Sequence, residues 1–130
     1  MPVNFASAIA VALGAAFGAL ARWLLTIALA PLSGAIPLGT LMANLVGGFL
    51  MGIVLGLMPA FSNLPVPVQL ALTTGFLGGL TTFSAFSGET VALLLRGYWL
   101  TTIAIVSAHV VGSLLATLLG YALVRLLLRS

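Results

Sequence analysis

The stretch from residue 73 to residue 89 combines hydroxyl, aromatic and acidic side chains inside an otherwise apolar sequence. Phe83 and Phe86 are three residues apart and therefore share one face of a helix. The edge of a phenyl ring is electropositive relative to its face, so two rings presented edge-on can hold a small anion. Neighbouring hydroxyl groups, those of Thr82, Ser84 and Ser87, can donate further hydrogen bonds to it. Ordinary packing against lipid or another helix would explain the two phenylalanines alone.

The composition of the chain excludes most other classes of protein. Of the 130 residues 62% are hydrophobic and 4% are charged, whereas about a quarter of the residues of a soluble domain are charged. An intrinsically disordered chain is excluded as well, because disordered chains are poor in apolar residues. There is no cysteine for a disulfide or a thiolate metal site, and the four arginines form no basic run that would bind nucleic acid. The sequence contains no nucleophile–base pair and no phosphate-binding loop, so nothing in it indicates an enzyme. An integral membrane protein is therefore predicted.

Four apolar segments are each long enough to span a bilayer, which takes roughly 20 residues. They cover about residues 4–30, 38–58, 68–95 and 100–123. The predicted fold is all-α, with a single four-helix transmembrane domain over residues 1–130. Glycines four residues apart, such as Gly48 and Gly52, allow helix backbones to approach closely in lipid. We therefore expect a tightly packed bundle that forms oligomers.

A break is predicted in the third helix at about Gly78 to Thr81. Three glycines within five residues, followed by two threonines, are poor helix formers. Backbone at membrane depth leaves the helical form only where protein or a watery cavity satisfies its polar groups. The freed carbonyl oxygens would suit a hard cation, and the amino end of the second half-helix would carry a partial positive charge.

Four isolated polar residues lie within the predicted spans, where ionisable groups are costly. Arg22 either extends to the membrane interface or attracts anions to the mouth of a pathway. Asn44 either bonds to a neighbouring helix or lines a pathway as a donor. Glu89 is a proton-coupling carboxylate, an acceptor for hydroxyl groups or an interfacial residue. His109 has no partner at metal-ligand spacing and is interpreted as a helix-contact residue.

The arginines give no preferred orientation in the membrane. With four crossings, Arg125 and Arg129 fall on one side, and Arg22 and Arg96 fall on the other. A chain with such a balance can insert both ways. It can then form an antiparallel homodimer with a two-fold axis in the membrane plane.

Three motifs of the chain resemble those of the Fluc (CrcB) fluoride-channel family. The sequence GFLGGLTTFSAFS at residues 75–87, with Glu89, closely resembles the signature of that family. The sequences GALARW at residues 18–23 and GTLMANLVGGF at residues 39–49 look like the motifs of its first and second helices. The resemblance extends over nearly the whole chain.

This resemblance implies an antiparallel, dual-topology homodimer with two fluoride pores and a structural sodium ion on the two-fold axis. Backbone carbonyls of Gly78 and Thr81 would hold the sodium ion. The residues that the resemblance places along the pore or at its mouth are Asn44, Thr82, Phe83, Ser84, Phe86, Ser87, Glu89 and Arg22. The fourth helix departs from the family pattern, since Ile105 and His109 stand where a tyrosine and a serine are expected.

The resulting hypothesis is a passive channel in the cell (inner) membrane that exports cytoplasmic fluoride and so relieves its toxicity. Its partners would be fluoride, the lipid bilayer and a second copy of the chain. The alternative is a proton-coupled exporter, also a small four-helix dual-topology dimer, in which Glu89 would carry the proton. A purely structural or lytic subunit is a third possibility, but it leaves the polar surroundings of the predicted break unexplained.

Overall fold

The structure is a computed structural model that describes residues 3–129, and within this range every regular element is helical. The helices are α1 (Phe5–Leu29), α2 (Leu38–Gly56), α3 (Met58–Phe61), α4 (Val66–Leu70), α5 (Gly78–Leu80), α6 (Phe83–Leu95) and α7 (Trp99–Arg129). A 3₁₀ turn, Ala30–Leu32, follows α1, and a π-helical segment, Ala71–Leu77, joins α4 to α5.

Four of the helical stretches are long and apolar enough to cross a membrane: Phe5–Leu32, Leu38–Gly56, Val66–Leu95 and Trp99–Arg129. Large apolar side chains cover the outside of the chain, and on α7 the side chains of Leu114, Leu118 and Leu119 are more than half exposed. Such a surface is stable in lipid and not in water. The prediction of an all-α, multi-pass membrane protein is confirmed.

The fourth span is longer than the sequence predicted. It was expected to end near residue 123, but α7 continues to Arg129. No glycine or proline follows Gly120, and the leucines that separate the last two arginines are good helix formers. Arg125 and Arg129 are therefore helical residues and do not form a separate tail.

Glycines set the distance between the helices. A Cβ atom on Gly52 of α2 would collide with the carbonyl oxygen of Thr117 on α7, and one on Gly120 would collide with that of Phe49. In α1, a Cβ on Gly18 would collide with the Phe76 carbonyl oxygen of the third span. The close packing predicted from glycine spacing is therefore present at both helix pairs.

The third span ends at a glycine in the left-handed conformation. Gly97 has φ of 81°, its amide donates to the Leu94 carbonyl at 3.0 Å, and the Tyr98 amide donates to the Leu93 carbonyl at 3.1 Å. These two bonds form a Schellman motif, which satisfies the last carbonyls of α6. The turn to α7 is consequently only a few residues long.

Candidate functional site

Two residues between α5 and α6 have extended backbone. Thr81 has φ −84° and ψ 154°, and Thr82 has φ −150° and ψ 120°. Gly78–Leu80, which the sequence placed inside the irregular segment, are helical. The glycines have another function, since a Cβ on Gly79 would collide with the Ala15 carbonyl oxygen of α1. The irregular backbone therefore starts later than predicted.

The side chain of Asn44, on α2, binds the backbone of Thr82. Its Oδ1 accepts a hydrogen bond from the Thr82 amide at 2.8 Å, and its Nδ2 donates to the Thr82 carbonyl at 3.0 Å. The same Nδ2 lies 3.0 Å from Nδ1 of His109 on α7. Asn44 thus replaces the helical partners of Thr82 with its own amide, and it joins three of the four spans.

Two carbonyl groups next to the extended residues lose their usual helical donors. In a continuous helix the Thr82 amide would donate to the Gly78 carbonyl, and the Ala85 amide would donate to the Thr81 carbonyl. Here the Thr82 amide donates to Asn44, and the Ala85 amide donates to Oγ1 of Thr82 at 3.2 Å. The oxygens of Gly78 and Thr81 are the two that the resemblance assigns to sodium.

Three aromatic rings meet beside the extended residues. The rings of Phe83 and Phe86 lie edge to face, with centroids 5.4 Å apart and planes at 69°. The ring of His109 lies 4.4 Å from that of Phe86, at 34°. Phe86 and His109 are buried, whereas Phe83 is 77% exposed in the single chain. The shared helical face predicted for Phe83 and Phe86 is thus an actual ring contact.

These groups line one open cleft of about 550 Å³. Its lining includes Gly78, Thr81, Thr82 and both phenylalanines from the third span, Asn44 from α2, and His109, Ser113 and Thr117 from α7. Polar groups from three spans therefore converge on one apolar-walled space, which is the arrangement expected of a binding site or pathway.

Glu89 lies further along α6 and makes a contact with α2. The hydroxyl of Thr40 donates to Oε1 of Glu89 at 2.6 Å, a length typical of a hydroxyl bound to a carboxylate. The other oxygen, Oε2, is buried and has no hydrogen-bond partner within residues 3–129. Of the three interpretations of Glu89, the structure shows the one in which it accepts from a hydroxyl group.

Arg22 contacts the backbone near the extended residues. Its Nε donates to the carbonyl oxygen of Gly79 at 3.1 Å, linking α1 to the third span. Arg22 is only partly exposed. The guanidinium group therefore supplies a hydrogen-bond donor to a carbonyl oxygen of α5. Neither of the two interpretations of Arg22 included this contact.

Four of the predicted residues, Ser84, Ser87, Arg22 and Glu89, do not line the cleft. Oγ of Ser84 is 3.2 Å from Oγ1 of Thr82, and Ser87 is exposed one turn later on α6. Arg22 and Glu89 are also outside the lining.

His109 was interpreted as a helix-contact residue, and its place beside Asn44 was missed. The sequence did contain a signal for this contact. Asn44 and His109 are isolated polar residues deep within their spans, and each needs a polar partner there.

Comparison with known proteins identifies the relatives of this chain. The model of the family described as CrcB-like protein, Camphor Resistance (CrcB), matches residues 9–121. A protein of Tolumonas auensis is 50% identical over 124 residues, which cover 95% of this chain and 98% of the relative. A protein of Bordetella pertussis is 51% identical over 129 residues, which cover 98% of this chain and 96% of the relative.

Both relatives carry the name fluoride-specific ion channel FluC, as does a Ralstonia pickettii protein that is 50% identical over 90% of this chain. An ion channel is not an enzyme, in agreement with the sequence-based prediction. The family model covers most of the chain, and these relatives are 50–51% identical to it over 90–98% of its length. This four-span membrane protein belongs to the CrcB family.

Proposed function

We propose that the protein is a fluoride-selective passive ion channel that lets fluoride leave the cytoplasm. The observation that carries this proposal is the 50% identity, over 95% of the chain, to a protein named as a fluoride-specific channel. An acidic exterior favours neutral HF, which permeates the membrane, and the near-neutral interior traps the anion. A pore then allows fluoride to leave down its gradient.

The cleft provides groups that suit a small anion. The T-shaped contact between Phe83 and Phe86 fixes the positions of both rings, so the electropositive edges that do not point at the other ring are held in place for an ion. The hydroxyl of Thr82, in the lining, and that of Ser84, beside it, are 3.2 Å apart; one donates to the other, and the second hydrogen can bind an ion. Rigid donors at fixed spacing can replace the water around fluoride but cannot enclose the larger chloride.

Further polar groups extend the pathway along α6. Ser87 follows the aromatic pair on the exposed face of the helix, and Glu89, bonded to Thr40, lies near the middle of α6. Arg22 provides positive charge near the other end, where it contacts the Gly79 carbonyl. A positive charge beside an apolar-walled cleft raises the local concentration of anions near it. We assign Arg22 this function in addition to its structural contact.

A structural sodium ion is part of the proposal. The carbonyl oxygens of Gly78 and Thr81 lack their helical amide donors, because those amides bind Asn44 and Thr82 instead. Carbonyl oxygens freed in this way are ligands for hard cations such as sodium. A sodium ion bound there would stabilise the extended backbone without any acidic side chain.

An antiparallel homodimer completes the proposal. The cleft is open on one side, and the Phe83 side chain is 77% exposed there. A second copy packed against this side would enclose the pathway and duplicate the carbonyl oxygens around the sodium ion. The even distribution of the four arginines between the two sides permits the opposite orientations that such a dimer needs.

Efflux from liposomes tests the proposal directly. Vesicles containing the protein are loaded with fluoride or with chloride, and the released ion is recorded by electrode, with protein prepared in sodium and in sodium-free buffer. We expect fast fluoride loss without chloride loss, abolished when sodium is removed. Fluoride flux that does not depend on sodium would refute the Gly78–Thr81 site alone. No fluoride flux from a folded dimer would refute the channel.

The orientation can be tested separately, because the chain has no cysteine. Asn63→Cys, in the exposed connection between α3 and α4, provides a single labelling site. We expect a membrane-impermeant maleimide to label about half of the molecules from outside intact cells and the rest only after permeabilisation. Labelling from one side only would refute the dual topology.

A further inference from the structure

Gly47, on α2, lies against the side chain of Thr81, which is the first of the two extended residues. A Cβ atom at position 47 would collide with the methyl carbon of Thr81, Cγ2, and would lie 3.6 Å from Thr81 Cβ. Gly47 is buried, and both residues belong to the lining of the cleft. The missing side chain of Gly47 therefore leaves a notch in α2, and the methyl group of Thr81 fills it.

The Thr81 side chain cannot turn its methyl group away without losing a hydrogen bond. Its hydroxyl group donates to the carbonyl oxygen of Leu77 at 2.8 Å. A β-branched side chain has few staggered positions about χ1, and a rotation that moves the methyl group also moves the hydroxyl group. The two branches therefore fix the side chain together, because one binds the preceding helical turn and the other fills the notch at Gly47.

The Thr81 carbonyl group lies between two contacts with α2. It belongs to the rigid, planar peptide group that joins the Cα atom of Thr81 to the amide of Thr82. At one end of this plane the Thr82 amide donates to Oδ1 of Asn44 at 2.8 Å, and at the other end the Thr81 side chain fills the notch at Gly47. Asn44 and Gly47 are three residues apart and share one face of α2. That face therefore determines the direction of the Thr81 carbonyl.

We propose that Gly47 is a positioning residue for the carbonyl oxygen of Thr81, through the methyl group that it admits into α2. A methyl group added at position 47 must displace the side chain of Thr81, and the peptide plane must follow. Without sodium the extended segment is free to relax, whereas a bound ion holds the carbonyl in place, so the sodium-bound state bears the cost. This inference rests on the sodium site of the proposed function, and it adds to that site a residue that contacts no ion.

The sodium dependence of thermal unfolding tests the proposal without any flux measurement. A ligand that binds only the folded protein stabilises it once the ligand concentration exceeds the dissociation constant. The protein in detergent is melted over a range of sodium chloride concentrations, with choline chloride keeping the ionic strength constant. For Gly47→Ala we expect the rise in melting temperature to begin at about 10-fold higher sodium, since the usual cost of an inserted methyl group corresponds to about one order of magnitude in a binding constant.

Thr81→Ser provides a suppressor that is specific to the proposed contact. Serine retains the hydroxyl group that donates to Leu77 but lacks the methyl group that meets position 47. The double variant Gly47→Ala/Thr81→Ser should therefore regain most of the sodium response that the single variant loses. Gly56→Ala is the matched control, because Gly56 also lies on α2 and its Cβ would meet another β-branched side chain, that of Val124. It should lower the melting temperature at every sodium concentration without shifting the sodium response.

The contact between Thr81 and Gly47 is also measurable in the unchanged protein, so the test does not depend on the folding of a variant with an added methyl group. The NMR signal of the Thr81 methyl group is assigned by its absence from the spectrum of Thr81→Ser. In lipid nanodiscs with sodium chloride, we expect a nuclear Overhauser effect between these methyl protons and the α protons of Gly47. Its absence, while the matching signal between Val124 and Gly56 is present, would overturn the proposal.

The outcomes separate this inference from the function on which it rests. If sodium changes neither the melting temperature nor the fluoride flux of the unchanged protein, the sodium site is refuted and the inference fails with it. If sodium stabilises the unchanged protein and the folded Gly47→Ala variant at the same concentration, the site stands and the role of Gly47 is refuted. The role is also refuted if Thr81→Ser does not restore the response, because the loss then does not arise from the methyl contact. Absence of fluoride flux would refute the channel, whereas the melting experiment would still decide the role of Gly47.

Discussion

Replacing Asn44 by alanine should release the extended backbone at Thr82. The substitution removes the acceptor of the Thr82 amide and the donor of the Thr82 carbonyl, at 2.8 and 3.0 Å. Both backbone groups lie in the third span, where only protein groups and the cleft can satisfy them. We therefore expect the segment to open more often, or to exchange its extended form for another turn of helix.

The size of the effect follows from the two groups left unpaired. Each buried polar group without a partner costs about 1–3 kcal/mol. Thr82 is only half-buried and borders the open cleft, so water compensates part of this cost and the lower end applies. Two groups together give about 2 kcal/mol, which is about a 30-fold change in the opening equilibrium of the segment.

Hydrogen exchange of the protein in detergent micelles measures this opening. The Thr82 amide of Asn44→Ala should exchange about 30 times faster than that of the unchanged protein, and amides in the middle of α2 and α7 should not change. Thr40→Val is the matched control, because it removes another polar contact between α2 and α6, the bond to Glu89, while leaving Asn44 in place. Equal exchange at Thr82 in the alanine variant and the unchanged protein would refute the reasoning.

Three further predictions concern charge and packing. Glu89→Gln keeps an acceptor for Thr40, so a passive channel should retain fluoride efflux; loss of efflux, together with loss of its response to an imposed proton gradient, would favour the exporter. Gly52→Val should lower stability by about 1–3 kcal/mol, because the new side chain meets the α7 backbone. Gly88→Ala is the control and should not lower stability, because a Cβ at Gly88 has open space. Thermal unfolding in detergent compares the two variants, and equal melting temperatures would contradict the packing argument. Arg22→Gln should reduce fluoride flux most at low ionic strength, since salt screens the lost charge; a deficit independent of salt would assign Arg22 a structural role alone.

The sequence was sufficient for the fold because lipid imposes simple requirements. Four long apolar segments separated by prolines, glycines and short polar turns can only be spans. Glycine spacing also indicated which faces pack, since α2 meets α7 at Gly52 and Gly120. The end of α7 was missed, because arginines near a membrane boundary are compatible with either a helix or a tail.

The site was only partly predictable, because its geometry depends on contacts between distant residues. The ring pair of Phe83 and Phe86 follows from local spacing. The extended residues were placed too early, since glycine lowers helix propensity wherever it occurs, and propensity does not reveal that Gly79 is needed for contact with α1. The bond between Asn44 and His109 spans 65 positions of the chain, and no local pattern encodes it.

The contact between Asn44 and Thr82 has a consequence for the order of assembly. It joins residues 38 positions apart, on different spans. A third span that enters the bilayer by itself has no partner for unwound backbone, so it is most stable as an uninterrupted helix. Only after the second span is alongside can the amide of Asn44 take over the bonds of Thr82. Unwinding then follows the insertion of the third span, as an exchange of internal helical bonds for bonds to the neighbouring second span.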